Sequence, residues 1–354
     1  MAKNDTKIAM TGTMDAINKG SKVRLEDLAK LAGVSVATVS RALNDSPAVN
    51  RVTKRRVWKI ARDHNYVLNQ DMPMSMSGSQ ATIAIVIPPP HAREGRFSDP
   101  FYQEMISGVG EAARDMGCDL LLSHMTPRSQ NDLLTLMQNI KADGVIFLGQ
   151  SYLHDRFNHL ANHTNKFIVW GQELSGQRYC TVGSNNLQGG TRATSHLVRL
   201  GRRRIAYFGD TEGPEMKQRF QGYLNVLAES DLAYDPRLVV PTHFETASAE
   251  AAVVALLNRG VVFDGIFAAS DIIAFGAIRG LVRAGRQVPG DISVVGYDNI
   301  QLASYSHPSL TTISQDLSRA GKLMVSKLIG SISNDESHSE IVSTELVVRE
   351  SCGG

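Results

Sequence analysis

The periodicity of apolar residues breaks near residue 80, and that break constrains the fold more than any other feature. From Val23 to about Val67 the pattern is helical and poor in glycine. Residues 69–80 are rich in Met, Ser and Gly around Pro73, which reads as a linker. Beyond it, short apolar runs alternate with amphipathic stretches: Ile83–Pro88, Asp119–His124, Val145–Leu148 and Lys166–Trp170 as strands, Phe101–Met116 and Gln130–Ile140 as helices. Strands that are apolar throughout belong to a parallel sheet covered on both faces. The rhythm restarts with helices at Leu187–Leu200, Glu215–Glu229, Ser248–Asn258 and Asp271–Ala284 and strands at Arg204–Gly209, Leu238–Val240, Gly265–Ala268 and Ile292–Tyr297. The expected fold class is an all-α headpiece followed by two doubly wound parallel-sheet α/β subdomains. Two such sheets in series imply a cleft, with ligands at the carboxyl ends of the strands.

Charge is unevenly placed. Over the 354 residues the formal net charge is only +2. Between Lys22 and Asn69, however, ten Lys or Arg face four Asp or Glu, leaving the remainder of the chain with a surplus of four negatives. A basic segment on a mildly acidic body is the footprint of a nucleic-acid-binding module, although a solvated helix face has the same composition. Cys118, Cys180 and Cys352 have neither metal nor disulfide-framework spacing, which points to a reducing, cytoplasmic setting. The first 20 residues have no apolar core of a secretion signal, and no run is long enough for a membrane span. Residues 1–21 are expected to be a disordered tail.

The strongest local signal runs from Arg24 to Asn44. Leu25, Leu28, Ala29 and Leu31 form the apolar face of a first helix, Gly33 suits a left-handed turn, and Ser35 is a good N-cap. In the second helix Val39, Ala42 and Leu43 turn inward, leaving Val36, Ala37, Ser40 and Arg41 outside. Two helices joined in this way form a helix-turn-helix, whose second helix fits the DNA major groove. A third helix, from about Thr53 to His64, buries Val57, Ile60 and Ala61 and carries Lys54, Arg55, Arg56, Lys59 and Arg62. The competing reading is a three-helix bundle for protein contacts.

Leu-Ala-Gly-Val-Ser-Val-Ala-Thr-Val-Ser-Arg-Ala-Leu-Asn from Leu31 to Asn44, with Val52 to Val57 and Asn65-Tyr66, resembles the headpiece of the lactose/galactose repressor family of bacterial regulators. The resemblance implies that Val36, Ala37 and Arg41 read bases, that Thr38, Ser40, Asn44 and Thr53 hold phosphates, and that Arg55 lies on the DNA-facing basic helix. Val-Ala at the base-reading pair resembles the galactose-type branch. The chain departs from the family at the hinge: Asp71 and Met72 replace the usual Val-Ala, and Ser75 stands where a Leu wedges into the minor groove. Two readings stand. Either Met74 or Met76 supplies the wedge in a short hinge helix, or residues 69–80 are a flexible linker.

The body carries the same resemblance, in Asp99 to Val109, Thr181 to Asn186, Gly189-Gly190, His196 to Ile205, Asp291 to Asp298 and Pro308 to Asp316. It implies a periplasmic-binding-protein-like core over residues 81–354. The first subdomain takes about 81–183 plus 314–328, and the second about 184–313 plus 329–354. Residues 22–68 form the DNA-binding domain. The resemblance places Arg219 on ligand hydroxyls or carboxylate and Phe244 on the apolar face of a sugar ring. Asp298, at a strand's carboxyl end, suits two hydroxyl hydrogen bonds, and Trp170, at another, a second stacking wall. Ser270, Asp271, Gln315 and Phe101 are further ligand candidates, and Tyr102 and Gln150 weaker ones. Each has a plainer alternative: Phe244 and Trp170 as core, Arg219 as a surface group, Asp271 as a helix cap.

The implied activity is that of a sequence-specific DNA-binding transcriptional regulator, most simply a repressor, controlled by a small-molecule effector. The effector is expected to be a mono- or disaccharide. Val169-Trp170-Gly171, Gly176-Gln177 and Thr181 to Ser184 resemble regulators of α-glucoside or maltose-type genes, and purines are the competing ligand class. A homodimer on a near-palindromic operator, cytoplasmic and nucleoid-associated, is expected, with no membrane partner. A transport receptor of similar fold is disfavoured by the headpiece. No catalytic motif, phosphate-cradling loop or metal spacing supports an enzyme, a cofactor or a metal.

Overall fold

A computed structural model describes residues 24–43, 46, 48–64, 81–88, 98–125, 127, 129–150 and 152–353. The chain divides into two compact units, residues 1–76 and 77–354. The expected tail, Asn44, the linker and the hinge candidates Met74 and Met76 lie outside the described residues.

Among its described residues the first unit has three helices: α1 (Leu25–Ala32), α2 (Val36–Leu43) and α3 (Arg51–Asp63). They enclose a small core of Leu28, Ala29, Ala32, Val39, Ala42, Leu43, Val49, Val57 and Ala61. Leu31, expected inward, is exposed, and Ala32 takes the buried position. At about 100° per residue, Leu25, Leu28, Ala29 and Ala32 share one arc of α1 and Leu31 falls beside it. Gly33 closes α1 in the left-handed region at φ 59°, a conformation a side chain would strain. Ser35 Oγ accepts the Thr38 amide at 3.1 Å, and Asn50 Oδ1 caps α3 by accepting the Thr53 amide at 2.8 Å.

In the second unit, the first subdomain contains β1 (Thr82–Val86), α4 (Pro100–Asp115), β2 (Asp119–Ser123), α5 (Gln130–Asn139), β3 (Gly144–Leu148), α6 (His154–Ala161), β4 (Phe167–Trp170) and β5 (Thr181–Ser184). The chain then builds α7 (Asn186–Arg199), β6 (Ile205–Phe208), α8 (Pro214–Glu229), β7 (Val239–Val240), α9 (Thr246–Asn258), β8 (Gly265–Ala268), α10 (Asp271–Arg283), β9 (Ser293–Asp298), α11 (Leu302–Tyr305) and β10 (Thr311–Ser314). It returns through α12 (Leu317–Ile332) and β11 (Glu340–Val342), and ends with β12 (Glu345–Val347). The sheets have the orders β11-β5-β4-β3-β1-β2 and β12-β10-β9-β8-β6-β7. All pairings are parallel except β10 with β12.

The chain therefore crosses between sheets three times: after β5, after β10 and between β11 and β12. The last crossing corrects the boundary expected at residue 329. That residue lies inside α12, which packs on α4, and β11 pairs with β5 of the first sheet. Only the final segment from Glu345 belongs to the second sheet. Strands β11 and β12 are edge strands of three residues each, too short for hydrophobic periodicity to reveal them.

Candidate ligand cleft and nucleic-acid interface

Strands β4, β5, β6, β8, β9 and β10 end in Trp170, Ser184, Phe208, Ala268, Asp298 and Ser314, and the first two crossings leave from the ends of β5 and β10. Polar groups collect there. Arg219, on α8, is 5% exposed. Its Nε donates to Asn186 Oδ1 at 2.8 Å and its Nη1 to the Ala269 carbonyl at 2.6 Å. The guanidinium carbon lies 3.6 Å from the centroid of the Tyr297 ring, and Nη1 is 3.8 Å from Asp298 Oδ1. This Arg is buried in the protein, so the surface reading fails.

Asp298 closes β9 with φ 117°, followed by Asn299 at φ 56°. Gln315 Nε2 donates to Asp298 Oδ1 at 2.6 Å, and Gln315 Oε1 accepts the Ser184 hydroxyl. The chain Ser184–Gln315–Asp298 thus ties the end of β5 to the end of β9 across two crossings. Burial pushes the Asp298 carboxyl up to about 7; Arg219 opposes the shift and Asp99 adds to it. The Ser184–Gln315–Asp298 chain itself brings the carboxyl ends of β5 and β9, one from each sheet, together. Tyr102 of α4 feels Asp99, Glu215 and Asp298, and burial raises its hydroxyl above the ordinary phenol value. Glu104 of α4 accepts the Gln301 backbone amide from the other subdomain, a second bridge across the cleft.

The first subdomain lines this space with rings. Phe101 packs edge-on to Tyr102 at 5.4 Å and tilts toward Trp170 at 6.5 Å. Trp170 is buried in the core of its subdomain, whereas Phe244, between β7 and α9, is 38% exposed. Two surface recesses of about 300 and 270 Å³ open at the amino ends of β6 and of β4 and β5; the buried Arg219 and Asp298 are in neither.

Three expected ligand residues turn out to be engaged by the protein. Ser270 is the N-cap of α10, accepting the Ile273 amide at 3.3 Å. Asp271 is completely buried, and its oxygens accept Thr312 Oγ1 at 2.5 Å and the Ile300 amide at 2.9 Å. It braces the turn after Asp298 and is withdrawn from the cleft, which corrects its expected ligand role. Burial and the neighbouring Asp298 charge raise its pKa well above the carboxylate range. Gly296 makes room for it, since a Cβ there would overlap Asp271 Oδ1. Gln150 is also fully buried, donating to Tyr179 at 2.6 Å and accepting the Gln172 amide at 3.1 Å. Sequence reasoning missed Asn186, Tyr297, Ser184 and Glu104. Asn186 lies within a quoted motif, and its position two residues beyond a buried strand end was the available signal.

In the first unit, capping by Ser35 starts α2 so that Val36, Ala37 and Arg41 stand exposed on one side. Val36 is 41% exposed, and Leu31 and Val52 of the same unit are exposed as well. Thr38, Ser40 and Thr53 are half-buried, and Arg55, Arg56 and Lys59 are exposed along α3. The unit thus presents two apolar side chains at the start of α2 and an exposed Arg in its last turn, with a basic helix following in the chain.

Comparison with known proteins gives a consistent pattern. Residues 24–69 match the family described as bacterial regulatory proteins, lacI family, and residues 194–352 match the periplasmic binding protein-like domain. The transcriptional regulator CelR of Thermobifida fusca is 31% identical, covering 92% of this chain and 97% of that protein. The regulator MalR of Clostridium butyricum is 29% identical, covering 93% and 99%. The structure of a CelR–cellobiose complex superposes with a TM-score of 0.67 at 31% identity, covering 93% of this chain and 99% of that one. The lac repressor dimer bound to operator, 24% identical, shares the fold with a TM-score of 0.76 over 94% of this chain and 99% of that one.

Proposed function

This chain belongs to the lacI family of bacterial regulatory proteins, and on that premise we propose that it is a dimeric repressor released from its operator by a neutral saccharide. As a member of that family it is a DNA-binding transcriptional regulator with an effector-binding domain, not an enzyme. The observation that carries the effector reading is the paired placement of Arg219 and Asp298 where the strands of both sheets end. A carboxylate accepts two hydroxyl hydrogen bonds and a guanidinium donates several, the combination that vicinal sugar hydroxyls require. Phe101, Trp170 and Phe244 supply faces for the apolar side of a sugar ring. Gln315 holds Asp298 in place, and Ser270 contributes by fixing the start of α10.

The cellobiose held by the CelR structure favours a glucoside of one or two units. Purine control is the rival, since a repressor named PurR from Aliivibrio fischeri is 30% identical over 92% of this chain. In the DNA-binding unit, Val36, Ala37 and Arg41 read base edges, with Arg41 bidentate to a guanine, while Thr38, Ser40, Thr53 and Arg55 hold phosphates. By the family resemblance Asn44 joins the phosphate set; residues 69–80 either supply a minor-groove wedge through Met74 or Met76 or serve as a flexible linker. Two copies place two such units on a near-palindromic site, in the cytoplasm and on the nucleoid.

Saccharide binding favours one arrangement of the two subdomains, and operator affinity follows because the headpieces need the other. Gel-shift titration of the full chain on its own promoter region tests this reading. Specific binding should weaken steeply with salt, and Arg41→Ala should relax base preference at one position at a cost of about 1–3 kcal/mol. Binding that ignores Arg41→Ala contradicts the assignment of α2.

A further inference from the structure

Gly189-Gly190 stands in the first half of α7, where glycine weakens a helix, and none of the roles above needs it. Its two residues face different neighbours. A Cβ on Gly190 would overlap the backbone carbonyl oxygen of Arg219 and lie 3.0 Å from its Cα. The reciprocal contact is as close: a Cβ on Gly222 of α8 would overlap the Leu187 carbonyl and sit 2.5 Å from the Thr191 amide nitrogen. The backbones of α7 and α8 therefore touch at Arg219. On its other side, a Cβ on Gly189 would overlap the Tyr297 hydroxyl and lie 2.7 and 2.8 Å from two carbons of that ring. Tyr297 is the ring on which the Arg219 guanidinium stacks.

Asn186 completes the arrangement one turn earlier. It is 1% exposed, and its Oδ1 accepts both Arg219 Nε at 2.8 Å and the Tyr297 hydroxyl at 3.3 Å. Its Nδ2 donates to the Ser184 carbonyl at 3.1 Å, which anchors it to the end of β5. One stretch of α7 thus fixes the Arg219 backbone through Gly190, the ring beneath its guanidinium through Gly189, and its Nε through Asn186.

We propose that Asn186, Gly189 and Gly190 are positioning residues that set the direction and register of Arg219 in the effector cleft. This rests on the reading that Arg219 binds the effector. Asn186 also follows directly on the β5 crossing, so a shift between subdomains displaces the acceptor of Arg219 Nε. The aim of the guanidinium is thereby linked to subdomain arrangement, and residues that touch no ligand determine how well hydroxyls are recognised.

A double-mutant cycle on the full-length chain tests this, with cellobiose and maltose as probes in calorimetric titration. Arg219→Ala and Asn186→Ala should each weaken binding about tenfold or more. The double variant should bind no worse than Arg219→Ala alone, a non-additivity that general loosening of the fold does not produce. Additive losses, or full affinity in Asn186→Ala, overturn the inference. If Arg219→Ala keeps full affinity, or if wild type binds neither sugar, it is the effector reading that fails. The crystal structure of the Gly190→Ala variant, or of Asn186→Ala should the first not fold, then decides the positioning claim independently. A displaced guanidinium upholds it, and one still stacked on Tyr297 at the wild-type distance refutes it.

Discussion

In the proposed cleft the first α/β subdomain supplies most of the rings, Phe101, Tyr102 and Trp170, whereas the second supplies Arg219 and Asp298 on a scaffold of Asn186, Ser270 and Asp271, with Phe244 as its ring. The two share a sheet architecture and even trade segments, since α12 and β11 complete the first and β12 the second. Their unlike contributions follow from what each element can hold. Buried charges need neighbouring hydrogen-bond partners, and the second sheet provides them at the ends of β8 and β9, at the start of α7 and in Gln315. Rings need packed backing, and the first subdomain's core provides it behind Trp170. On the proposed reading the second subdomain orients the ligand and the first covers it, with Glu104 of the first accepting the Gln301 amide of the second.

Asp298→Ala should break this comparison open most strongly. It removes the hydroxyl acceptor and leaves Arg219 buried with less compensation, so saccharide affinity should fall about a hundredfold in titration calorimetry. Acidification should give the next largest effect. The ionised Asp298 is the form that accepts hydroxyls, and its pKa is raised to about 7, so affinity is full from about one unit above that, about half at pH 7 and about tenfold lower at pH 6. A profile flat from pH 8 to 6 removes Asp298 from ligand binding. On the aromatic side Phe101→Leu should cost less, a few-fold in affinity, because about 0.5–1.5 kcal/mol is what a ring contact adds beyond its area. A loss from Phe101→Leu as large as that from Asp298→Ala would erase the division of labour between the subdomains.

Much of this was legible in the chain because it depends on local chemistry. Gly33 and Ser35 mark the turn and cap of the headpiece by their own conformational needs, and the structure places both there. The alternation of apolar strands with helices needs only burial on both sheet faces. The illegible parts depend on distant partners. Asp271 reads as a ligand or a cap until Thr312 and Ile300, far along the chain, are seen to occupy its oxygens. Leu31 reads as core because a run of apolar residues in a short helix leaves its inward arc ambiguous by one position. Asn186 is a polar residue in a motif until Arg219 is brought onto it by the α7–α8 contact. The final crossing into β12 carries no periodic signal at all.

Everything functional depends on one coupling: what fills the cleft alters how the headpieces hold DNA. Fluorescence anisotropy on a labelled promoter fragment, titrated with the full chain in the presence and absence of saturating cellobiose or maltose, measures it directly. The account predicts that one of these saccharides weakens operator binding by about 5- to 150-fold, and that DNA weakens saccharide binding by the same factor. Operator curves that superimpose with and without either sugar, from a protein whose cleft binds it, would contradict the account.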